Sequence, residues 1–307
     1  MAEILTLGEC MAVLYPPDPI PLDDARSLLL DIGGAEANLS VALARMGHSV
    51  RYITRVGDDP FGQRIRGILA GEGVDVSSVR TDTAAGTGIF FREWLPDGVR
   101  RVYYYRAGSA ASRMLPDDLQ AEQFLGARFV HLTGITPALS VSCAATVVHA
   151  FELAHAAGAQ VSFDPNYRVK LWPPEVASRV LLPLIQASDI LLIGHEDARA
   201  VLGIHVTEDA AGDQQLLEAM LDLGPGIIVL KCAERGALAW SQGQQYSAPA
   251  VPVAHVIDPV GAGDGFDAGF LAGMLRHLSI PASLALGARV GAESVAVLGD
   301  YAGYPRV

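Results

Sequence analysis

The sequence predicts an α/β protein in which helices flank a central, mainly parallel β-sheet. Short apolar runs alternate along the chain with longer segments of helical periodicity, an alternation typical of parallel sheets covered on both faces. Half of the 307 residues are hydrophobic and 18% are charged, which suffices for a large core and excludes a disordered chain. Two stretches that do not follow the alternation predict a second, smaller β-structure.

The elements follow one another in a regular order. The apolar run at residues 4–7 predicts the first strand, and residues 38–46 carry an apolar stripe with helical spacing. Residues 50–54 predict a strand, and residues 61–71 predict a helix that ends at a glycine. The same order recurs further along the chain, where strands are predicted at residues 129–132, 160–163, 190–193 and 227–230.

Residues 129–151 contain no Asp, Glu, Lys or Arg and are long enough to span a membrane. His131, Gly134, Pro137 and His149 interrupt the apolar character of this stretch. We therefore interpret it as a buried strand followed by a buried helix, and we expect no membrane association.

The two segments outside the alternation cover about residues 11–32 and 88–106. The first is rich in Pro and Asp, whereas the second resembles a hairpin in which a Pro-Asp-Gly turn at residues 96–98 separates two β-rich runs. An antiparallel insertion has no place in a parallel sheet, so these segments predict a lid, an oligomer contact or both. No long linker interrupts the chain, and residues 1–307 are predicted to form one domain with both lid segments inserted in it.

The net charge and the cysteine content limit the kinds of binding partner and the cellular compartment that the sequence predicts. The formal net charge of −12 argues against nucleic-acid binding, although it leaves room for a small anion held by local arginines. Cys10, Cys143 and Cys232 lie far apart, so neither a disulfide framework nor a cysteine metal site is predicted. The first residues lack the basic and apolar regions of a signal peptide, and a cytoplasmic location is expected.

The strongest local signal is the segment DPVGAGDGFDAG at residues 258–269. An apolar stripe from Phe266 to Leu278 predicts a helix that opens at this glycine-rich turn. The backbone amides of Gly261, Ala262 and Gly263 can then converge on an anion at the helix N-terminus, with Asp264 beside it. A simpler interpretation is that Asp264 only caps the helix.

Several nucleotide and hydrolase motifs are excluded. Neither Lys170 nor Lys231 follows a glycine as the phosphate-binding Walker A motif requires, and Phe266 stands where a dinucleotide fingerprint starting at Gly261 needs glycine. A second histidine is missing after His195 for a zinc-protease helix, and no nucleophile elbow occurs.

A second glycine motif, DIGGAEAN, occupies residues 31–38. Gly33 and Gly34 allow the backbone to approach a ligand closely, and the Asn38 amide can donate to and accept from a polyol. The alternative is a tight turn with Asn38 as the N-cap of the following helix.

The two glycine motifs, together with Gly47 and Gly57 between them, resemble the two signatures of the ribokinase-like (PfkB) carbohydrate kinases. The resemblance covers essentially the whole chain and implies a three-layer fold with a small β-sheet lid. It also implies an ATP- and Mg²⁺-dependent kinase for a sugar hydroxyl. The resemblance further implies that Asp264 is the catalytic base and that Gly261, Ala262 and Gly263 form the anion hole for the phosphoryl group. It also implies that Gly34 and Asn38 contact substrate hydroxyls.

A finer resemblance, to the 2-keto-3-deoxygluconate kinases, rests on two segments, YYYRAGSAAS at 103–112 and FDPNYRVKLW at 163–172. Tyr104 and Arg106 are two residues apart, so a strand places them on one face. Arg168 follows a predicted strand end, where parallel sheets bind ligands. Arg106 and Arg168 together fit a carboxylate, which a neutral sugar lacks. The alternative for each arginine is an ordinary ion pair.

The family resemblance assigns the remaining site residues. It places Asn166, Lys231, Ala233, Glu234 and Gly236 at the nucleotide, together with Gly261 and Gly263, and Asp300 at the sugar. The Asn-x-x-Glu motif that many members link to Mg²⁺ is replaced by Gly-His-Glu-Asp at residues 194–197, so the residues that hold the metal stay unassigned.

The expected activity is therefore transfer of the ATP γ-phosphoryl group to the terminal hydroxyl of 2-keto-3-deoxygluconate, giving the 6-phosphate and ADP. A fructokinase or ribokinase acting on a neutral sugar is the nearest alternative, and a non-catalytic sugar-sensing protein is an alternative of another class. Because lid strands of this family often pair between subunits, the resemblance also implies a homo-oligomer.

Overall fold

In the part of the chain that the computed structural model describes, residues 1–95 and 99–306, nine strands form one large sheet. Seven adjacent strands run parallel, as the alternation of apolar runs and helices predicts, and two antiparallel strands extend one edge. In order across the sheet they are β13 (Gln244–Ala248), β12 (Ala237–Ser241), β11 (Ile227–Lys231), β10 (Ile190–Gly194), β9 (Gln160–Asp164), β8 (Phe129–Thr133), β1 (Ile4–Leu7), β4 (Val50–Gly57) and β5 (Val79–Asp82).

Helices cover both faces of this sheet, because successive side chains of each strand point to opposite sides. Ile190 and Leu192 of β10 pack in one core, whereas Leu191 and Ile193 pack in the other. The first core includes α1 (Ala35–Arg45), α2 (Pro60–Gly71), α8 (Ala262–Leu275) and α9 (Ile280–Ser294), and the second includes α3 (Ala121–Phe124), α4 (Val141–Ala156), α5 (Pro174–Ala187), α6 (His195–Leu202) and α7 (Ala210–Met220).

The predicted strand and helix at residues 129–151 are confirmed as β8 and α4. Among the residues described, no helix combines the length and the apolar character that crossing a bilayer requires.

A separate four-stranded sheet, called the small sheet below, contains strands from both segments that interrupt the alternation. Its order is β3 (Leu29–Gly33), β2 (Met11–Tyr15), β6 (Ile89–Trp94) and β7 (Arg100–Tyr105). β2 pairs parallel with β6, while β3 and β7 pair antiparallel on the two outer sides. The prediction of a second β-structure is thus confirmed, while the turn predicted at residues 96–98 lies outside the described residues.

At the starts of two helices, the structure contradicts the alternative interpretation that a polar side chain caps the helix. α1 begins at Ala35 with Gly34 at its N-cap, so Asn38 lies inside the helix and does not cap it. The N-cap of α8 is Gly261, and Asp264 lies in the first turn without capping it. In both cases a glycine starts the helix and leaves the polar side chain free for other contacts. At its other end α8 stops before Leu278, which is exposed.

Close contact between α8 and α9 depends on glycine. A side chain added at Gly269 would begin 2.8 Å from the Cα of Gly287 and from the Leu286 carbonyl oxygen. In contrast, Gly67 of α2 has open space on its exposed face. The first glycine therefore brings two helix backbones together, while the second has no packing role.

These two glycines give a matched test of packing. We expect Gly269→Ala to lower the free energy of unfolding by about 1–3 kcal/mol, because the added methyl group overpacks the contact between the helices. Gly67→Ala is expected to raise it by about 0.5–1 kcal/mol, because alanine favours the helix. Chemical denaturation of both variants measures the difference, and equal effects of the two substitutions would contradict the assigned contact.

Candidate active site

The two glycine motifs meet in space at a hydrogen bond. The Asn38 Nδ2 donates to the Asp264 Oδ2 over 2.8 Å, although the two residues are 226 positions apart in the chain. Asn38 projects from α1 and Asp264 from the first turn of α8, and these helices pack against each other. The structure therefore brings the polyol-binding and anion-binding candidates of the sequence into one site.

The turn that opens α8 has one closed side and one open side. Gly261 adopts φ +82°, and a side chain there would begin 2.1 Å from the Asp300 carbonyl oxygen. The Tyr304 hydroxyl also holds this turn by donating to the Gly261 carbonyl oxygen over 2.7 Å. At Gly263 the nearest atom to an added side chain is the Lys231 Nζ, at 3.8 Å. Gly261 thus shapes the turn, and Gly263 leaves space beside a cation.

The amides of this turn are not equivalent. The Ala262 amide makes a long hydrogen bond to the Pro259 carbonyl oxygen, at 3.3 Å. Within residues 1–95 and 99–306, no backbone carbonyl accepts from the amides of Gly261, Gly263 or Asp264. Free amides at a helix N-terminus attract negative charge. Of the three amides predicted to bind an anion, that of Ala262 is therefore the least available.

Two opposing effects act on the pKa of Asp264. Burial raises the pKa above its ordinary value, whereas the Asn38 hydrogen bond and the positive charges of Arg168 and Lys231 favour the ionised form. The net shift is upward, opposite to the effect of the helix N-terminus alone. A raised pKa makes Asp264 a better proton acceptor than an exposed aspartate.

Lys231 lies at the carboxyl end of β11 between two buried carboxylates. Its Nζ is 2.9 Å from the Asp164 Oδ2, and 2.9 and 3.0 Å from the two oxygens of Asp267. Burial alone lowers the pKa of the ammonium, but the Asp164 and Asp267 carboxylates raise it above the usual range. Lys231 is therefore a permanent cation next to the turn of Gly263.

The structure corrects one argument about Arg106. Its guanidinium contacts the Glu9 carboxylate, which is fully buried and also accepts a hydrogen bond from Ser109. Tyr104 and Arg106 do lie together, with the guanidinium carbon 5.4 Å from the ring centroid. A neutral sugar would not leave the Arg106 charge unpaired, because Glu9 already balances it.

Arg168 has no such partner. Its side chain is exposed, its Nη1 donates to the Tyr167 carbonyl oxygen over 3.1 Å, and no carboxylate pairs with it in the described chain. Its positive charge nevertheless acts on Asp264 and Asp197. The backbone reaches this position through Asn166, which is buried, adopts φ +39° and follows β9 after Pro165.

Asp300 is buried next to Gly33, the last residue of β3. Its Oδ1 is 3.1 Å from the Arg92 Nη1, which also contacts the Asp258 Oδ2 at 2.9 Å. A side chain at Gly33 would begin 2.3 Å from the Asp300 Oδ2, so glycine is needed at the end of β3. Burial raises the pKa of Asp300 to about 7, although Arg92 opposes the shift.

The segment predicted at the nucleotide forms an exposed turn after β11. Ala233 and Glu234 are exposed, and Ala233 adopts φ +50°. A side chain at Gly236 would begin 2.2 Å from the Ala248 carbonyl oxygen, so the return to β12 requires glycine. This turn lies at the same edge of the sheet as Lys231 and leaves its backbone accessible to a ligand.

Residues 194–197 replace the Asn-x-x-Glu motif of the family, and two of their side chains have different environments. His195 is buried, and its Nδ1 is 2.6 Å from the Asp213 Oδ1, which in turn pairs with Arg235. Burial and the Asp164 charge raise the pKa of Asp197 to about 7. A divalent cation would relieve that repulsion, so Asp197 fits Mg²⁺. No cluster of three or more metal-ligating side chains occurs in the described residues.

Four acidic residues of the site were missed in the sequence. Glu9 carries no local signal, because its partner Arg106 lies far along the chain, directly after β7. Asp267 lies three positions after Asp264, and this helical spacing is a signal that was available. Glu36 and Asp164 lie inside two of the segments singled out in the sequence, but only neighbouring residues of these segments were assigned to the site.

Glu36 is fully buried on α1, two residues before Asn38. Its Oε1 accepts hydrogen bonds from the Thr133 and Thr136 hydroxyls, at 2.7 and 3.0 Å. Its carboxyl group packs so closely on Gly8 that a side chain there would begin 2.2 Å from the carboxyl carbon. Burial raises the pKa of Glu36 to about 7.

Comparison with known proteins gives consistent matches. A family model described as "pfkB family carbohydrate kinase" matches residues 1–306. A 2-dehydro-3-deoxygluconokinase of Thermoproteus tenax is 37% identical over 309 residues, covering 99% of this chain and 92% of the relative. A 2-dehydro-3-deoxygalactonokinase of Haloferax volcanii is 34% identical over 304 residues, covering 98% of this chain and 93% of the relative.

Fructokinases also match, among them one of Klebsiella pneumoniae that is 34% identical over 284 residues and covers 92% of this chain and 87% of the relative. Among solved structures, a 2-dehydro-3-deoxygluconokinase of Thermotoga maritima superposes with a TM-score of 0.89 at 29% identity, covering 97% of this chain and 94% of the other. The predicted three-layer fold is confirmed by this likeness.

Glu36 gives a test by pH. Its pKa is about 7 in the folded chain and 4.5 when exposed, so between these values the folded state keeps a proton that the unfolded state releases. The unfolded state binds fewer protons, and stability therefore falls as pH rises through this window. The free energy of unfolding of Glu36→Gln is expected not to fall in this way. From pH 5 to pH 7 it should therefore rise by about 2–3 kcal/mol relative to that of the wild type.

Denaturant unfolding of both proteins at several pH values measures this difference. Other titrating groups cancel between the two proteins, and glutamine keeps an acceptor oxygen for both threonines. A constant difference from pH 5 to 7 would show that Glu36 titrates normally.

Proposed function

This chain belongs to the pfkB family of carbohydrate kinases, and we propose that it phosphorylates the terminal hydroxyl of 2-keto-3-deoxygluconate (2-dehydro-3-deoxy-D-gluconate) with ATP. The products are the 6-phosphate and ADP. As a member of this family it is a phosphotransferase acting on a sugar hydroxyl, so the non-catalytic sensor is no longer an alternative. The observation that carries the proposal is the Asn38–Asp264 hydrogen bond beside the free amides of the α8 turn.

Each part of this turn has a role in phosphoryl transfer. Asp264 orients the sugar hydroxyl and accepts its proton as the bond to phosphorus forms. The amides of Gly261 and Gly263, with a smaller contribution from Ala262, stabilise the charge on the phosphoryl oxygens. Asn38 keeps the Asp264 carboxylate in place, which matters because this reaction depends more on alignment than on base strength.

The nucleotide is proposed to bind at the carboxyl end of β11. The residues assigned to it are Asn166, Lys231, Ala233, Glu234 and Gly236, with the turn of Gly261 and Gly263. Asp197 is proposed to hold Mg²⁺, which usually binds one or two protein carboxylates together with substrate phosphates. When bound, the ion neutralises charge on the phosphate oxygens.

The sugar is proposed to bind between the small sheet and α1. Gly34, Asn38 and Asp300 are assigned to its hydroxyls, and Tyr104 and Arg106 approach it from the small sheet. A side chain at Gly34 would begin 2.3 Å from the Glu9 carbonyl oxygen, so glycine is required for this approach. Arg168 is assigned to the substrate carboxylate, because its charge has no protein partner among the described residues.

A neutral sugar is the second candidate substrate. The specific observation in its favour is the Glu9–Arg106 contact, which balances the Arg106 charge without any substrate carboxylate. Fructokinases among the matching relatives agree with this alternative. Arg168, which is exposed and has no carboxylate partner among the described residues, favours the sugar acid.

We also propose that copies of the chain associate through the small sheet in the cytoplasm. β7 is an outer strand of that sheet, and its Tyr103, Tyr104 and Tyr105 are exposed. Exposed outer strands present unpaired backbone groups to a second chain.

An ADP-release assay with a substrate panel tests the function. We expect turnover with 2-keto-3-deoxygluconate at a kcat/KM at least about tenfold above fructose, ribose and adenosine, because a paired carboxylate contributes a charged hydrogen bond. The galactonate epimer belongs in the same panel. In Asp264→Asn, kcat should fall by about 10²–10⁴-fold, because the base is lost while the contact with Asn38 can persist.

The sugar-binding affinity of Asp264→Asn, measured by calorimetry, is the control for folding. Preference for fructose or ribose over the sugar acid would overturn the proposed substrate, whereas the assignment as a sugar kinase would stand. Wild-type turnover by Asp264→Asn would contradict its role as the base.

Arg168 gives the sharper test of the carboxylate assignment. Arg168→Gln should raise KM for the sugar acid by about tenfold or more and leave KM for a neutral sugar within about twofold, because only the acid loses a charged contact. Steady-state kinetics with both sugars measure the two values. An equal rise for both sugars would indicate a general positional role instead.

A further inference from the structure

We infer that Asp267 is a positioning residue which, together with Asp164, holds the Lys231 ammonium beside the turn that opens α8, so that this cation acts on the phosphoryl group in transfer. The inference rests on the proposed function and adds to it Asp267, a residue of the second glycine motif to which the sequence analysis gave no role.

The contacts come from three separate elements. Asp164 ends β9, Lys231 ends β11 and Asp267 lies on α8, and the Lys231 Nζ lies 2.9–3.0 Å from three carboxylate oxygens. Asp164 is itself held, because its Oδ1 accepts from the Asn166 amide at 3.0 Å. The ammonium position is therefore set by two carboxylates, one at the end of a strand of the large sheet and one on α8.

The ammonium retains a donor for a ligand. It has three N–H groups. One directed at Asp164 and one shared between the two oxygens of Asp267 leave a third. Of the three side chains, Lys231 is 13% exposed, whereas Asp164 and Asp267 are 4% and 1% exposed. The cation is thus the member of the cluster that a ligand can reach.

The open side of the cluster is the phosphoryl site. An added side chain at Gly263 would begin 3.8 Å from the Lys231 Nζ, and Gly263 precedes the proposed base Asp264. Asp267 follows that base by three residues, so the same face of α8 supplies the base and the carboxylate that holds the cation. A fixed positive charge at this position stabilises a transition state in which negative charge develops on phosphoryl oxygens.

A purely structural role explains the cluster less well. Buried ion pairs lose so much hydration that apolar residues of similar size often stabilise a protein as well or better. Among the described residues, the charged and titratable groups that act on the cluster or respond to its charges include His131 on β8, Asp197 on α6, Asp264 on α8, Arg168 after β9 and Tyr304 near the C-terminus. Burial lowers the pKa of His131 to about 4, so it adds no positive charge at neutral pH. Of these groups in the described chain, Lys231 is therefore the cation that the two buried carboxylates hold.

The experiment compares kcat and KM in Lys231→Met, Asp267→Leu and Asp267→Asn with the wild type, using the sugar that the panel identifies. Lys231→Met should lower kcat by about 100-fold or more with the sugar KM within about threefold, because the cation acts in the transition state. Asp267→Leu should lower kcat by about tenfold or more, since the ammonium is then held on one side only. Asp267→Asn should recover at least fivefold over Asp267→Leu, because its amide oxygen can still accept from Lys231.

Asp118→Asn is the matched control. Asp118 is a buried carboxylate that pairs with Arg55 at 2.6 Å and with Arg80 at 2.8 Å, and it has no contact with the cluster. Its variant should lose thermal stability at unchanged kcat per folded molecule. If Asp267→Leu behaves in the same way, or if Lys231→Met keeps wild-type kcat, the inference is overturned while the kinase function stands. A wild-type chain that phosphorylates no sugar in the panel would overturn both.

Discussion

The hydrogen bond between Asn38 and Asp264 is the contact on which the rest of the site depends. It joins residues 226 positions apart, so it forms only when the starts of α1 and α8 meet at one edge of the large sheet. Glycine makes this meeting possible at both ends, since Gly34 and Gly261 stand where a side chain would collide with backbone oxygens. The large sheet and the packing of these helices thus serve to align an acceptor and a set of free amides.

Charge balance is the second constraint on the site. Arg106 contacts Glu9, Arg92 contacts Asp258 and Asp300, and Lys231 contacts Asp164 and Asp267. A buried cation is retained only when carboxylates compensate its lost hydration. Each partner also limits the movement of the cation, so these pairs hold the charged side chains in defined positions. Arg168 differs because it is exposed to solvent and needs no compensating carboxylate.

The relatives are named for different sugar substrates although they belong to one family. The arrangement of the site offers an explanation for this difference. The proposed base and the free amides belong to the start of α8, whereas Tyr104 and Arg106, which are proposed to contact the sugar, lie at the end of β7 and directly after it. On this proposed assignment, changes in the small sheet alter the sugar that fits without moving the proposed phosphoryl site. The same separation explains why a family match by itself does not select among sugar acids and neutral sugars.

The sequence by itself determined the parallel sheet, most strand positions and the two glycine motifs, because apolar periodicity and glycine are local properties. It also placed Asp264 and Asn38 as polar residues next to glycine turns. Only the tertiary structure decided that these two side chains meet, that Glu9 balances Arg106 and that Asp267 holds Lys231. These contacts join residues from distant segments, and the order of strands in a sheet determines which segments become neighbours. Local periodicity carries no information about that order.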